Sequence, residues 1–337
     1  MTEDELIARI RERLRDVGEE RLYLGIGDDA AAWQPSRNNR SVITTDALVE
    51  GVHFTRGAMS AHDAGWRALA SNLSDVAAMG ARPVLATVAL GFPQGTDPEW
   101  LLGCYDGIAA LAKQARCAIA GGDLTRAPAV VLAITVVGEV RASNLKRRDG
   151  ARAGDVVAVT GPLGASRAGL RIALDRPDLA GQDDAGSSVT ERGFGQAVAD
   201  ALAAFRTPQP RLREGRWLGA SRHVRAMMDV SDGLSTDLAR LCAASRVGAT
   251  VESVPVHEAA RAVAEHTGDD PHAWALGGGE DFELLASIEK RAFGHLAGRF
   301  RAHFGRELRA VGRITDGAGV RFADGTVVAQ SGWDHVG

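Results

Sequence analysis

Six acidic residues of this 337-residue chain sit where an apolar run ends or where glycines turn the backbone. They are the pair Asp28–Asp29 behind Gly25 and Gly27 in "IGDDAAAW", then Asp46, Asp123, Asp229 and Asp232. Asp75 differs, lying within the helical pattern "SNLSDVAAMG". Adjacent like charges cost free energy unless a cation or a donor sits between them. Gly-Asp-Asp is equally a turn composition, and each aspartate taken singly also fits a turn former or helix cap. Repetition of the arrangement in one chain favours a shared use. Hard carboxylate oxygens with few soft ligands suit magnesium, which keeps several waters and binds through carboxylates plus substrate phosphates.

Other chemistries lack their residues. The nine histidines form no zinc pattern, and no cysteine pair has metal-ligand or redox spacing. No Gly-x-Ser-x-Gly nucleophile elbow occurs. "DVSDG" fails as an EF-hand because its glycine falls one position early and the terminal glutamate is missing. Lysine occurs only at Lys113, Lys146 and Lys290, none followed by Ser or Thr, so there is no P-loop. Neither a His-Arg-Asp loop nor Asp-Phe-Gly is present, which excludes a protein kinase. Glycine-rich "AGGDLTR" and "LGGGEDFELL" let backbone N–H groups approach phosphates. The residues describe an acidic cleft that meets anionic phosphate through metal ions rather than through lysine.

Elements must position these groups. Thr2 and Glu5 have capping-box spacing, and Leu6, Ile7, Ile10, Leu14 and Val17 follow at helical period. "RSVITTD" predicts a strand ending at Asp46, and residues 62–79 a helix with Trp66, Leu69, Leu73 and Val76 on its apolar face. "PVLATVALGF" reads as a strand, Asp97-Pro98 opens a helix, and a short strand reaches Gly121-Gly122-Asp123. "AVVLAITVVGEV" is a long strand that is apolar on both faces. The polar, basic "RASNLKRRDGARAGD" marks a domain boundary, beyond which "DVVAVTG" starts a new strand and helices alternate with strands. "MMDVSDGL" puts Asp229 at a strand end and Ser231 and Asp232 in a turn before the helix "STDLARLCAA". "DRPDLAGQDDAGSS" reads as a mobile loop and "TPQPR" as a rigid connector.

The length fits two domains, and 45% hydrophobic with 24% charged residues is the balance of a soluble globular protein. A net charge of -4 without long single-sign runs argues against nucleic acid as a partner. No stretch reads as a membrane helix, and the charged, helical N-terminus is not a secretory signal. Cys104, Cys117 and Cys242 are an odd, widely spaced set that reads as reduced thiols, which together predicts a cytoplasmic protein.

"IGDDAA", "TTDALVEGVHF", "ASNLSDVAAMGARP", "AGGDLTR", "DVSDGLSTDLARL" and "GGGEDFELL" occur in the order seen in thiamine-monophosphate kinases. The chain resembles that family, within the superfamily of aminoimidazole-ribonucleotide and selenophosphate synthetases, from about Gly25 to Trp333. The resemblance implies an α+β chain of two aminoimidazole-ribonucleotide-synthetase-like domains. Residues 1–145 would form an ATP- and magnesium-binding domain whose mixed sheet makes a homodimer, and residues 146–337 an α+β domain completing the nucleotide and substrate site. It implies direct transfer of the γ-phosphoryl group of ATP to thiamine monophosphate. Matching the family's magnesium ligands are Asp29, Asp46, Asp75, Asp123, Asp229 and Asp232, with Thr44 and Thr45 beside Asp46 and with Asp46 and Asp232 at the chemistry. ATP contacts fall to Tyr105, Gly121, Gly122, Asp123, Arg148 and Ser231, with Arg147 an equal candidate to Arg148. The thiamine end falls to His53, Glu280 and Trp333.

Sibling synthetases of the same fold are the nearest rival. Selenophosphate synthetases use an N-terminal Cys or selenocysteine and a lysine in a glycine-rich segment, yet no cysteine or lysine precedes Cys104 here. "TTDALVEGVHF" and "GGGEDFELL" fit the kinases better than the aminoimidazole-ribonucleotide synthetases. A non-catalytic nucleotide- or metal-binding module would show missing ligands, and none of the matched aspartates is missing.

Overall fold

The computed structural model describes residues 2–18, 20–26, 30–177, 179 and 189–332. Asp28, Asp29 and Trp333, together with most of "DRPDLAGQDDAGSS", lie outside the described residues. Contacts divide the chain into two units, 1–76 with 81–143 and 77–80 with 144–337.

In the first unit the Thr2 hydroxyl accepts the Glu5 N–H at 3.2 Å and the Glu5 carboxylate accepts the Thr2 N–H at 2.8 Å, closing the capping box of α1 (Glu3–Arg13). A short pair, β1 (Leu22–Leu24) and β2 (Ala32–Trp33), follows. The remaining elements are β3 (Asn39–Val49), α2 (Ala61–Ala78), β4 (Arg82–Phe92), α3 (Pro98–Ala115), β5 (Ala118–Arg126) and β6 (Val131–Arg141). Asp97 caps α3 by accepting the Glu99 N–H at 3.0 Å, one residue before a proline that needs no donor there.

Four strands form one mixed sheet in the order β3-β6-β4-β5, with only β4 and β5 parallel. Leu132, Ile134 and Val136 of β6 are wholly buried, as are Leu69 and Leu73 of α2. The opposite face carries small side chains in its central rows. Thr45, Thr135 and Thr87 stand in one row across three strands, and Ala47, Ala133 and Ala89 in the next.

The second unit holds β7 (Val156–Val159), α4 (Ala165–Asp175), α5 (Val189–Arg206), α6 (Leu212–Gly219), β8 (Val224–Asp229), α7 (Leu234–Ser245) and β9 (Gly248–Val251). It continues with α8 (Glu258–Thr267), α9 (Pro271–Gly277), β10 (Leu284–Ile288), α10 (Lys290–Phe304), β11 (Arg309–Thr315) and β12 (Gly319–Phe322). The strand order is β12-β9-β11-β7-β10-β8. Val157, Val159, Met228 and Leu285 pack into one core with α4, α5, α7 and α8, while Ala158, Met227, Leu284 and Ala286 pack into another with α6 and α10. A sheet covered on both faces needs strands that are apolar at every position, which is why "VVAV" and "AMM" do not alternate. Both units are α+β.

Two strands differ from their sequence reading. β3 runs three residues past Asp46 because β6 pairs with it from Asn39–Arg141 to Val49–Val131, so Asp46 lies inside a strand. β5 likewise continues through Asp123 to Arg126, held by parallel pairing with β4.

The two glycines of "GGD" have different environments. A Cβ on Gly122 would lie 1.9 Å from the Val88 carbonyl oxygen, just past the register shift between Ala86 and Thr87, whereas one on Gly121 would meet nothing within 4 Å. Overpacking of this kind costs about 1–3 kcal/mol. Gly122→Ala is therefore expected to lower stability by about that amount in urea denaturation. Gly121→Ala should unfold like the parent chain; equal midpoints for both variants would contradict this packing.

Candidate functional site

Strand alternation on β3 places Thr44 and Asp46 on one face and Thr45 on the other. The Thr44 hydroxyl donates to Oδ2 of Asp75, bringing the strand to the last turn of α2. Thr45 is occupied differently. Its hydroxyl donates to the Ile134 carbonyl at 3.1 Å and accepts from Thr135 at 3.1 Å, so it serves the sheet. Asp123 is not beside Asp46. On β5 it aligns with Ala89 of β4, three strand steps from β3, or about 14 Å at ordinary strand spacing.

His53 follows β3 in a turn, where its Nδ1 accepts the Val49 N–H at 3.1 Å, leaving Nε2 as the protonated nitrogen of the neutral ring. Near it in sequence, Glu50 pairs with Arg56 at 2.8 Å, and the Arg56 guanidinium lies 4.4 Å from the Trp100 ring centre. Tyr105 is 4% exposed on α3, and burial raises its hydroxyl pKa. The residue expected at the nucleotide is thus a core tyrosine in the first unit.

In the second unit β8 ends at Asp229, 2% exposed, and the chain turns through Val230, Ser231 and Asp232. The "GGGEDFE" segment runs alongside. Glu280 N–H donates to the Ser231 carbonyl at 2.7 Å, Phe282 N–H to Val230 at 3.0 Å, and Val230 N–H to Glu283 at 2.8 Å. Glu280 and Phe282 adopt left-handed φ values of 55° and 49°. A Cβ on Gly279 would stand 2.7 Å from the Ser231 carbonyl oxygen, so only glycine fits there. Ser231, expected at the nucleotide, Asp232, expected at the metal, and Glu280, expected at the thiamine end, are brought together by this pairing. At the chain's other end, Gly332 N–H donates to the Thr236 hydroxyl at 3.1 Å, so the residue before Trp333 is docked on α7.

Carboxylates the sequence reading passed over hold these loops. Asp237 accepts the N–H groups of Ser231 and Asp232, both at 3.0 Å. Burial pushes its carboxyl up to about 6, against the pull of the donors at Asp232, Arg240 and Ser231. Asp281 accepts the Gly164 N–H at 2.8 Å and the Ser166 N–H at 3.4 Å, covering the N-terminus of α4. Burial pushes Asp281 up to about 7. Burial also pushes Glu283 up, but Arg211 at 2.7 Å and Arg306 at 2.6 Å outweigh it and hold that carboxyl below its ordinary range. Asp237 carried a readable signal, an acid in the first turn of a helix. Arg211 and Arg306 carried none, lying 72 and 23 residues from Glu283.

Arg147 pairs with Asp149, whereas the carbonyl of Arg148 accepts the Ser245 hydroxyl at 2.7 Å and its side chain is exposed. Among the described residues no three His, Cys, Asp or Glu side chains gather as a ready-made metal site. The donor set is nonetheless all oxygen, and open sets of carboxylates are what a magnesium ion completed by phosphates uses.

The chain matches the AIR synthase related protein family, its N-terminal domain over residues 27–140 and its C-terminal domain over residues 152–325. It is 35% identical over 337 residues to the thiamine-monophosphate kinase of Salmonella typhimurium, covering 98% of this chain and 97% of that one. This chain belongs to the thiamine-monophosphate kinase family. The crystal structure of the thiamine-monophosphate kinase of Stenotrophomonas maltophilia superposes with a TM-score of 0.81 at 37% identity, over 97% of this chain and 98% of that chain. A ThiL complexed with AMPPCP and TMP superposes with a TM-score of 0.76 at 29% identity, over 99% of this chain and 96% of that chain.

For this thiamine-monophosphate kinase family member the Asp281 carboxyl has a consequence for stability. A carboxyl raised from 3.8 to about 7 binds a proton in the folded chain that the unfolded chain has released. Its contribution is therefore full below about pH 4 and declines as the pH climbs to about 7. Asp281→Asn keeps an acceptor oxygen for Gly164 but cannot ionise. Between pH 5 and pH 8, urea denaturation should show the variant losing less stability than the parent, by roughly 1–4 kcal/mol. Parallel pH profiles would show that Asp281 is charged at both ends of the range.

Proposed function

We propose that this chain transfers the γ-phosphoryl group of ATP to the phosphate of thiamine monophosphate, giving thiamine diphosphate directly. The observation that carries this reading is likeness along nearly the whole chain to a ThiL complexed with AMPPCP and TMP, a nucleotide and a thiamine phosphate. The acceptor oxygen belongs to a phosphate already ionised at neutral pH, so the reaction requires no general base. The obstacle is repulsion between two anions, and magnesium ions supply charge neutralisation and alignment.

Metal ligation is assigned to Asp29, Asp46, Asp75, Asp123, Asp229 and Asp232, with Thr44 joining through its contact with Asp75. The Thr45 hydroxyl stays with the sheet. Gly121, whose open side leaves room for a ligand, Gly122 and Asp123, with Arg148 and Ser231, are assigned to the nucleotide, and Tyr105 supports them from the core. Arg148 is preferred over Arg147 because Asp149 already holds the latter. His53, Glu280 and Trp333 are assigned to thiamine monophosphate: a ring N–H, a carboxylate and an indole, suited to a cationic heterocycle. The first unit is assigned to ATP, magnesium and homodimer formation, the second to completing nucleotide and substrate binding. The sheet face bearing Ile43, 73% exposed, with Thr45 and Ala47 is the surface we assign to a second copy. Among the described residues no helix is long and apolar enough to cross a membrane, in keeping with a cytoplasmic enzyme.

Purified protein given ATP and magnesium should consume thiamine monophosphate in preference to thiamine or aminoimidazole precursors. Phosphorylation of one of the latter instead would favour a sibling activity. Asp46→Asn and Asp232→Asn should each lower turnover by about 10²–10³-fold, the scale of a lost electrostatic contact, while melting normally. Near-normal turnover in either would return that residue to a structural role. ATP binding measured by calorimetry should need magnesium, and equal affinity in EDTA would remove the metal from this reading.

A further inference from the structure

We propose that Asp237 and Arg240 are positioning residues for Asp232: Asp237 fixes the turn that carries it, and Arg240 is a resident cation that holds its carboxylate and yields it to an incoming divalent metal ion. This rests on the assignment of Asp232 as a metal ligand. Asp237 and Arg240 stand three residues apart on α7, on one face of the helix. Asp237 is wholly buried and its oxygens are spent on local donors. Oδ2 takes the N–H groups of Ser231 and Asp232 at 3.0 Å each, and Oδ1 takes the Arg240 guanidinium at 3.1 Å. It therefore orients the turn without being left over to bind a metal itself. Arg240 reaches across to Oδ2 of Asp232. That oxygen cannot serve a guanidinium and a divalent cation together, because the two positive charges repel at such range.

The exposures set which partner moves. The Arg240 side chain is 45% exposed and that of Asp232 28%, whereas Asp237 has no exposure at all. Arg240 can swing into water when a metal ion arrives, while Asp237 and the backbone it grips stay put. The arrangement places one positive charge between two neighbouring carboxylates in the metal-free chain, which lessens their repulsion. It also sets the metal's apparent affinity, since binding must first displace an arginine.

The test uses Mn²⁺ alone on the full, metal-free chain without nucleotide, counting free ion by its electron paramagnetic resonance signal. Arg240→Ala should bind Mn²⁺ about three- to tenfold more tightly, because a competing charge is gone. Arg240→Lys, which restores a cation, should return affinity to within about twofold of the parent. Asp237→Asn should bind about three- to tenfold more weakly, and the double variant should fall between the two single ones. Unchanged or weaker binding in Arg240→Ala overturns the resident-cation role, and unchanged binding in a folded Asp237→Asn overturns the positioning role. Should Asp237→Asn fail to fold in a melting scan, Arg240→Ala against Arg240→Lys decides alone. Failure of the kinase reading shows separately, as affinity shifts in a protein that transfers no phosphate to thiamine monophosphate.

Discussion

Pairing between two backbone loops in the second unit depends on carboxylates whose partners are backbone N–H groups and arginines of the same unit. Val230, Glu280 and Phe282 tie "DVSDG" to "GGGEDFE" by three main-chain hydrogen bonds, and the ends of that pairing are fastened by Asp237, Asp281 and Glu283. Each of the three is buried or nearly so and meets its own donors: the N–H groups of a turn, the N-terminus of a helix, or two arginines. Hydrogen bonds to charged groups contribute about 1.5–3 kcal/mol each, and leaving one partner buried alone costs as much or more. Removing a donor therefore threatens both loops at once. The acids that hold the scaffold spend their oxygens on donors inside it, and Asp237 does so directly beside Asp232, which is assigned to metal ligation.

The first unit solves a related problem with a sheet. β3 is long because β6 pairs with it along its whole length, and in the middle of that pairing Thr44 meets Asp75 of α2. α2 in turn is fixed by Leu69 and Leu73 in the core. The position of a carboxylate is here set by apolar packing on both sides of it. Gly122 adds a constraint of another kind, since the approach of β5 to the Val88 carbonyl leaves no room for a side chain.

The elements of the fold were largely legible in the sequence, because periodicity and capping are local. Thr2 with Glu5, Asp97 before Pro98, and the apolar face of α2 all announced themselves within a few residues. Strand lengths were not. The extension of β3 beyond Asp46 depends on a partner strand some 90 residues away, as the Thr45–Thr135 contact illustrates. The site divides the same way. Ser231 and Asp232 were visible as a glycine turn after an apolar run, and Asp229 as the end of that run. Thr45 was implied beside Asp46 by the family resemblance, and strand alternation turns its hydroxyl to the Ile134 carbonyl. Tyr105 matched by position and proved to be core. Arg211 and Arg306 had no local mark, because a buried ion cluster is assembled by tertiary structure alone.

Glu280 and Phe282 occupy a backbone region that L-residues enter at a penalty of about 1–2 kcal/mol each. Phe282 compensates by filling the core, at 4% exposure, whereas Glu280 is only half-buried. In directed evolution for heat resistance, Glu280 is thus a position where glycine would be selected, since it relieves the strain and leaves the main chain in place. A library screened on survival of the fold alone would discard the carboxylate proposed for thiamine monophosphate, and with it the proposed substrate contact. Selection for thermotolerance in this chain has to be run under a demand for thiamine diphosphate.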